Sequence, residues 1–166
     1  MCGFGGYLLS SEEISPKNIL PKIINQIIHR GPDDQGLYEN NEYKIGLAHT
    51  RLSIQDLSSN GHQPMISEDG RVILVYNGEL YNFKELRSEL EKKGKKFKSY
   101  SDTEVLLNLY LVEGHKMLNK LNGIFTFAIW DQRDRTLFIA RDNFGVKPLY
   151  YMSLKDNFFF ASEIKA

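Results

Sequence analysis

Residues 124–162 read Ile124-Phe125-Thr126-Phe127-Ala128-Ile129-Trp130-Asp131, then Thr136-Leu137-Phe138-Ile139-Ala140-Arg141, then Leu149-Tyr150-Tyr151-Met152-Ser153 and Phe158-Phe159-Phe160-Ala161-Ser162. Each run is short, rich in aromatic and β-branched residues, and bounded by Asp, Gly or Pro, which is the pattern of strands joined by turns. The turns between them carry Asp, Gly and Pro. Upstream, Cys2–Leu9, Gly36–Glu39, Lys44–Thr50 and Val72–Tyr76 also read as strands. About eight strands with three helices bunched in the first two-thirds do not alternate as βαβ units. The expected class is therefore α+β, with mostly antiparallel sheets covered by helices.

The helices are marked by spacing and by their ends. Ile19, Ile23, Ile24, Ile27 and Ile28 repeat at helical intervals after Ser15-Pro16, and Gly31-Pro32 ends that run. Pro21 fits only if it lies in the first turn or makes a kink. Asn82 with Glu85, and Ser101 with Glu104, have capping-box spacing. The first opens a helix running to Gly94. The second opens an amphipathic helix through Val105, Leu106, Leu109 and Val112 to Gly114. Asp56–Gly70 reads as a loop, and Asn77-Gly78 as the turn that stops the Val72 strand.

The 166 residues suit one domain, and 42% hydrophobic with 25% charged residues implies a packed core. Lys plus Arg and Asp plus Glu both number 21. That balance argues against bulk attraction to nucleic acid or an anionic membrane. Apolar runs are too short to span a bilayer. The N-terminus has no secretory pattern, and a single cysteine forms no internal disulfide, so the expected location is cytoplasmic. No Cys/His/Asp group has zinc spacing. The run Lys92-Lys93-Gly94-Lys95-Lys96-Phe97-Lys98 reads as a solvated helix end.

Cys2 directly follows Met1. Removal of Met1 would make cysteine the N-terminus, and an α-amino group, with an ordinary pKa of about 7.7–8.0, could then act as base for the thiol of its own residue. Alone, the position favours a small buried apolar cysteine. The chain also contains His29-Arg30-Gly31-Pro32-Asp33, Arg51-Leu52-Ser53-Ile54, Asn77-Gly78-Glu79-Leu80-Tyr81-Asn82, Ser101-Asp102-Thr103-Glu104 and the run from Ala140-Arg141-Asp142 to Pro148-Leu149-Tyr150-Tyr151. In this order after Met-Cys-Gly, the set resembles the glutaminase domain of class II glutamine amidotransferases. It is most similar to that of glutamine-hydrolysing asparagine synthetases, over essentially residues 1–166.

The resemblance implies an N-terminal-nucleophile hydrolase fold, a four-layer αββα sandwich. It implies that Cys2 is the nucleophile and that Asn77 and Gly78 form an oxyanion hole. Glutamine would be bound by Arg51, Leu52, Ser53, Ile54, Gln55, Asn77, Gly78, Glu79 and Asp102, with Arg51 on the α-carboxylate and Asp102 on the α-ammonium. These types suit those tasks: a guanidinium grips a carboxylate with two bonds, and amide donors stabilise an oxyanion. His29, Arg30 and Asp33 read as shaping the loop beside the nucleophile. His49 is a pocket neighbour or a structural histidine.

No metal or cofactor is expected in this domain. The resemblance places ATP and magnesium in a C-terminal synthetase domain marked by a Ser-Gly-Gly-x-Asp-Ser loop, which these residues lack, so the sequence reads as a fragment or a stand-alone subunit. Expected partners are glutamine and that synthetase domain, with a homodimer possible, and neither nucleic acid nor membrane. Two other readings stay open: a glutaminase domain serving another acceptor such as a sugar acid, and a non-catalytic interaction module of the same fold.

Overall fold

The computed structural model describes residues 1–10, 14–54 and 56–166. In chain order the elements are β1 (Gly3–Leu8), α1 (Ile19–Ile27), β2 (Asp34–Asn40), β3 (Ile45–Arg51), β4 (Met65–Ile66), β5 (Val72–Leu80), α2 (Phe83–Lys92), α3 (Asp102–Glu113), β6 (Gly123–Asp131), β7 (Thr136–Arg141), β8 (Tyr150–Leu154) and β9 (Asn157–Ala161). Five strands form one sheet in the order β2-β3-β1-β9-β8, and four form a second in the order β4-β5-β6-β7. Every strand pair is antiparallel.

Three apolar layers fill the gaps between four structural layers. Tyr7, Ile23, Ile24, Ile27 and Ala48 pack α1 onto the outer face of the five-stranded sheet. Phe4, Ile45, Leu47, Ile73, Val75, Ala128, Trp130 and Phe160 lie between the sheets. Val72, Leu74, Leu86, Leu106, Leu109 and Phe127 join the four-stranded sheet to α2 and α3. Burying a side chain of this kind contributes about 1.5–3 kcal/mol. The two-residue period of strands sends Phe4 inward and Tyr7 outward from β1, and Ile73 inward and Leu74 outward from β5. The αββα sandwich thus follows from alternation in the central strands.

The helix signals hold in part. Pro21 falls in the first turn of α1. The Ser101 hydroxyl accepts from the Glu104 N–H, and the Glu104 carboxylate turns back to the N–H groups of Lys98 and Ser99. Asn82, by contrast, makes no side-chain cap to α2. Its amide instead donates to the Lys120 carbonyl and accepts from the Asn122 N–H, tying the start of α2 to the start of β6. Nor does α3 show one wet face. Asp102, Thr103, Val105, Leu106, Leu107, Leu109 and Tyr110 are all buried, because α3 packs against β4 and β5 and is flanked by α2 and the segment 114–120.

Two strand expectations are corrected. The segment 56–70 carries the two-residue strand β4, paired with Ile73 and Leu74. β5 does not stop at Asn77-Gly78 but continues to Leu80, with Asn77 opposite Thr126 and Gly78 opposite Phe125. A Cβ on Gly78 would stand 2.6 Å from the Ile124 carbonyl oxygen and 2.8 Å from Phe125 Cα. Gly78 is there for close strand approach, not for a turn.

Candidate active site

The candidate site is built by continuing the inter-sheet rows past the apolar core. Cys2 extends the inward row of Phe4; His49 and Arg51 extend that of Ile45 and Leu47; Asn77 extends that of Ile73 and Val75. The β1–β3 register pairs Gly3 with Thr50, so Cys2 comes level with Arg51 one step on. α3 brings its first residue, Asp102, to the same place from the far side of β5. The result is a cavity of about 130 Å³ whose wall includes Cys2, Arg51, Leu52, Ile54, Asn77, Gly78, Glu79 and Asp102.

Cys2 is partly buried, and its sulfur lies 3.4 Å from the Leu52 nitrogen, whose N–H points to it. The backbone behind it is held by Arg30, whose Nε donates to the Cys2 carbonyl at 2.9 Å. Asp33 accepts from the Ser53 N–H at 2.8 Å and so fixes the segment that carries Leu52. The His29–Asp33 motif therefore shapes the surroundings of Cys2.

Asn77 is 2% exposed, and its Nδ2 has no partner among the described residues. An unmade bond at a buried amide costs about 1–3 kcal/mol, so the unpaired donor is a feature to explain. Beside it, the open edge of β5 presents a row of backbone donors. The Tyr76 N–H goes to Gln63 Oε1 at 2.6 Å and the Leu80 N–H to Asp102 Oδ2 at 3.0 Å. Ladder alternation turns the Gly78 N–H to the same edge, between those two, and no described side chain accepts from it. Two donors thus converge on the cavity.

Arg51 is 8% exposed. Its Nη1 donates to the Ser58 carbonyl at 2.9 Å and its Nη2 to the Asp56 carbonyl. A guanidinium has five N–H donors, so donors remain for an anion. Gly61 makes room for it: a Cβ there would stand 2.0 Å from Nη2. Asp102 accepts from the Tyr76 hydroxyl at 2.7 Å as well as from Leu80. Burial pushes this carboxyl above the usual carboxylate range, against the pull of the Leu80 N–H and the Tyr76 hydroxyl. An ammonium group beside it would favour the charged form.

His49 is fully buried, with Nε2 3.0 Å from the Tyr76 carbonyl. That carbonyl can only accept, which assigns the proton to Nε2. Burial lowers its pKa to about 4, so it is neutral at physiological pH. It braces the two sheets and does not line the cavity.

Leu52 and Ile54 reach the cavity wall, as does the exposed Glu79. Ser53 is engaged through its N–H with Asp33 and is not on that wall. Gln55 lies outside the described residues. Sequence reasoning missed Gly61, Gln63, Thr103 and Lys147, which also line it. Two of these carried a signal, Thr103 within the 101–104 motif and Lys147 within the 140–151 motif. Asp142 sets its position. Burial works against the charge of this carboxylate, but N–H groups of Val146, Lys147, Phe125 and Phe144 hold its pKa below the ordinary value. Among the described residues, no group of His, Cys, Asp and Glu is placed to hold a metal ion, and no helix is long and apolar enough to cross a membrane.

Comparison with known proteins gives this geometry a family. Residues 1–166 match the model of the glutamine amidotransferase domain. Asparagine synthetase [glutamine-hydrolyzing] 1 of Bacillus subtilis is 42% identical over 169 residues, covering 100% of this chain and 26% of that protein. Asparagine synthetase [glutamine-hydrolyzing] 2 of the same organism is 41% identical, covering 100% of this chain and 22% of that protein. The chain thus spans about a quarter of the length of these curated relatives. The solved structure of glutamine phosphoribosylpyrophosphate amidotransferase from B. subtilis, complexed with ADP and GMP, superposes with a TM-score of 0.80 at 25% identity, covering 98% of this chain and 42% of that one. An N-terminal-nucleophile sandwich with a cysteine, an arginine, an asparagine and an aspartate around one cavity, matched end to end by one family model, places the chain in the glutamine amidotransferase domain family.

Proposed function

We propose that this domain hydrolyses the side-chain amide of glutamine to glutamate and ammonia. We propose further that the ammonia serves ATP-dependent amidation of aspartate to asparagine in the remainder of the full-length protein. The observation that carries the first reading is the buried, unpartnered Asn77 Nδ2 in the cavity lined by Cys2, Arg51 and Asp102. The names of the relatives, and the length they have beyond this chain, support the second.

In this reading Arg51 binds the α-carboxylate of glutamine and Asp102 its α-ammonium. With Met1 removed, the α-amino group of Cys2 takes the thiol proton, and the thiolate attacks the carboxamide carbon. Asn77 Nδ2 and the Gly78 N–H receive the oxyanion. The amino group then protonates the leaving ammonia, and water cleaves the glutamyl thioester to release glutamate. ATP and magnesium act in the other part of the protein, and no step in this domain is assigned to them.

Asn77→Ala is expected to lower kcat for glutamate release by about 10²-fold or more, as loss of one oxyanion donor does. KM should change far less, because the bond matters most in the transition state. Steady-state kinetics with unchanged kcat and a raised KM would remove Asn77 from the oxyanion role.

Arg51→Ala and Asp102→Ala should act the other way. They touch groups that do not react, and a hydrogen bond to a charged group contributes about 1.5–3 kcal/mol. KM for glutamine should rise roughly 10- to 100-fold with a smaller change in kcat. The acceptor is tested by supplying the full-length protein with glutamine, ATP and magnesium plus aspartate, and measuring asparagine. Ammonia-dependent product from a sugar acid but not from aspartate would overturn that half of the proposal.

A further inference from the structure

Cys2 has a difficulty that an interior nucleophile does not share. The β1 ladder begins at Gly3, and once Met1 is gone no upstream chain restrains residue 2. Its thiol and its amino group must nevertheless keep one mutual orientation for proton transfer. The anchor lies on its carbonyl, which accepts from Arg30 Nε at 2.9 Å. Arg30 is itself held from behind, its Nη1 donating to Glu163 Oε1 at 3.0 Å.

We infer that Glu163 is a positioning residue for the Cys2 nucleophile, acting through Arg30. This rests on the reading of Cys2 proposed above. Glu163 is well placed as a fixed post. Its neighbour Ser162 is laced to β1, with the Ser162 N–H on the Phe4 carbonyl at 2.8 Å and the Phe4 N–H on Ser162 Oγ at 3.0 Å. The Glu163 carboxylate also meets His29 Nε2 at 2.9 Å and Lys165 Nζ at 3.2 Å. Burial acts against its charge, yet contacts with Arg30, Lys165 and His29 hold its pKa down to about 2. The Arg30 stem lies flat over Gly3, where a Cβ would come within 3.0 Å of its Cδ. The guanidinium is thus packed on one side, bonded to the nucleophile residue by one nitrogen and to Glu163 by another. A planar fork transmits such a placement better than a single ammonium could.

The test uses the full-length protein with Met1 removed. Glu163→Ala is expected to lower kcat for glutamine hydrolysis about tenfold, since small misplacement of reacting groups is costly, with KM changed less than about twofold. Alkylation of Cys2 by chloroacetamide, which needs no glutamine site, should slow by a similar factor. Glu163→Gln keeps an acceptor for Arg30 and should recover most of both rates. Arg30→Lys should reproduce the loss, and Arg30→Lys combined with Glu163→Ala should add little to it, because both break one relay. If Glu163→Ala does not fold, the comparison of Arg30→Lys with Glu163→Gln decides: a loss in the first without recovery in the second overturns the relay. A lowered Tm with unchanged kcat and alkylation rate would show a purely structural role, and a raised KM alone a role in substrate binding; either overturns the inference. Glutamate release that survives Cys2→Ala would instead remove the glutaminase reading itself.

Discussion

Replacing Cys2 with alanine is expected to lower glutamine hydrolysis by at least about 10³-fold, the scale on which loss of an essential nucleophile acts. The chain has one cysteine, and its sulfur lines the cavity that also holds Arg51, Asn77 and Asp102. His49 offers no substitute, since it is buried away from the cavity wall and bonded to the Tyr76 carbonyl. The fold should survive, because Cys2 lies before the first ladder pair and outside the three apolar layers. Glutamate release by the variant near the parent rate, with an unchanged melting curve, would dismiss Cys2 as nucleophile. The same variant should still bind glutamine, which isothermal calorimetry can measure.

The second large effect is expected from Met1. While Met1 is attached, the Cys2 nitrogen is an amide and has no basic lone pair to take the thiol proton. A positioned general base contributes roughly 10²–10⁴-fold, and that factor should separate the two forms of the chain. Met1 also stands in the cavity wall, with its sulfur 3.4 Å from Lys147 Nζ. Arg51 and Asp102 are held by Asp56, Ser58, Tyr76 and Leu80, so the hold on glutamine proposed for them should not depend on Met1. A sample shown by mass spectrometry to retain Met1 should hydrolyse glutamine poorly, and trimming it with an aminopeptidase should restore the rate. Equal activity of the two forms would mean that some other group is the base.

Much of this was legible in the residues. The runs at 124–131 and 136–141 appear as β6 and β7 within one residue, because their alternation is set by the faces they must bury. The Ser101–Glu104 box appears as a cap because both partners lie within one turn. Other features depend on distant partners and left no local mark. Asn77-Gly78 has the composition of a turn, but the closeness of β6 demands the glycine and the cavity uses the asparagine. Asn82 has the composition of a cap, but carbonyl and N–H groups from residues 120 and 122 claim its amide. Gly61 reads as one more loop glycine. Its purpose is visible only when the Arg51 guanidinium, ten positions earlier, is seen in the space a side chain would fill. Of the residues the motifs named, Cys2, Arg51, Asn77, Gly78, Glu79 and Asp102 line one cavity, whereas Ser53 does not. How they are held in place came from contacts between residues far apart in sequence, such as Arg30 with Glu163.

β4 meets β5 only at Leu74 and pairs for two residues before the chain turns into β5, so that from Tyr76 onward the sheet has an unfinished margin. Proteins usually guard such margins against recruitment of a stray strand. Here the side chains of Gln63 and Asp102 occupy the flanking places at Tyr76 and Leu80, leaving a gap one peptide wide at Gly78. A neighbouring polypeptide would need several adjacent places to zip on, and it finds one. A single amide oxygen needs no more than that. In the proposed reading of the site, the brevity of β4 works as a filter by size, leaving the sheet open to a side-chain carboxamide and closed to a peptide backbone.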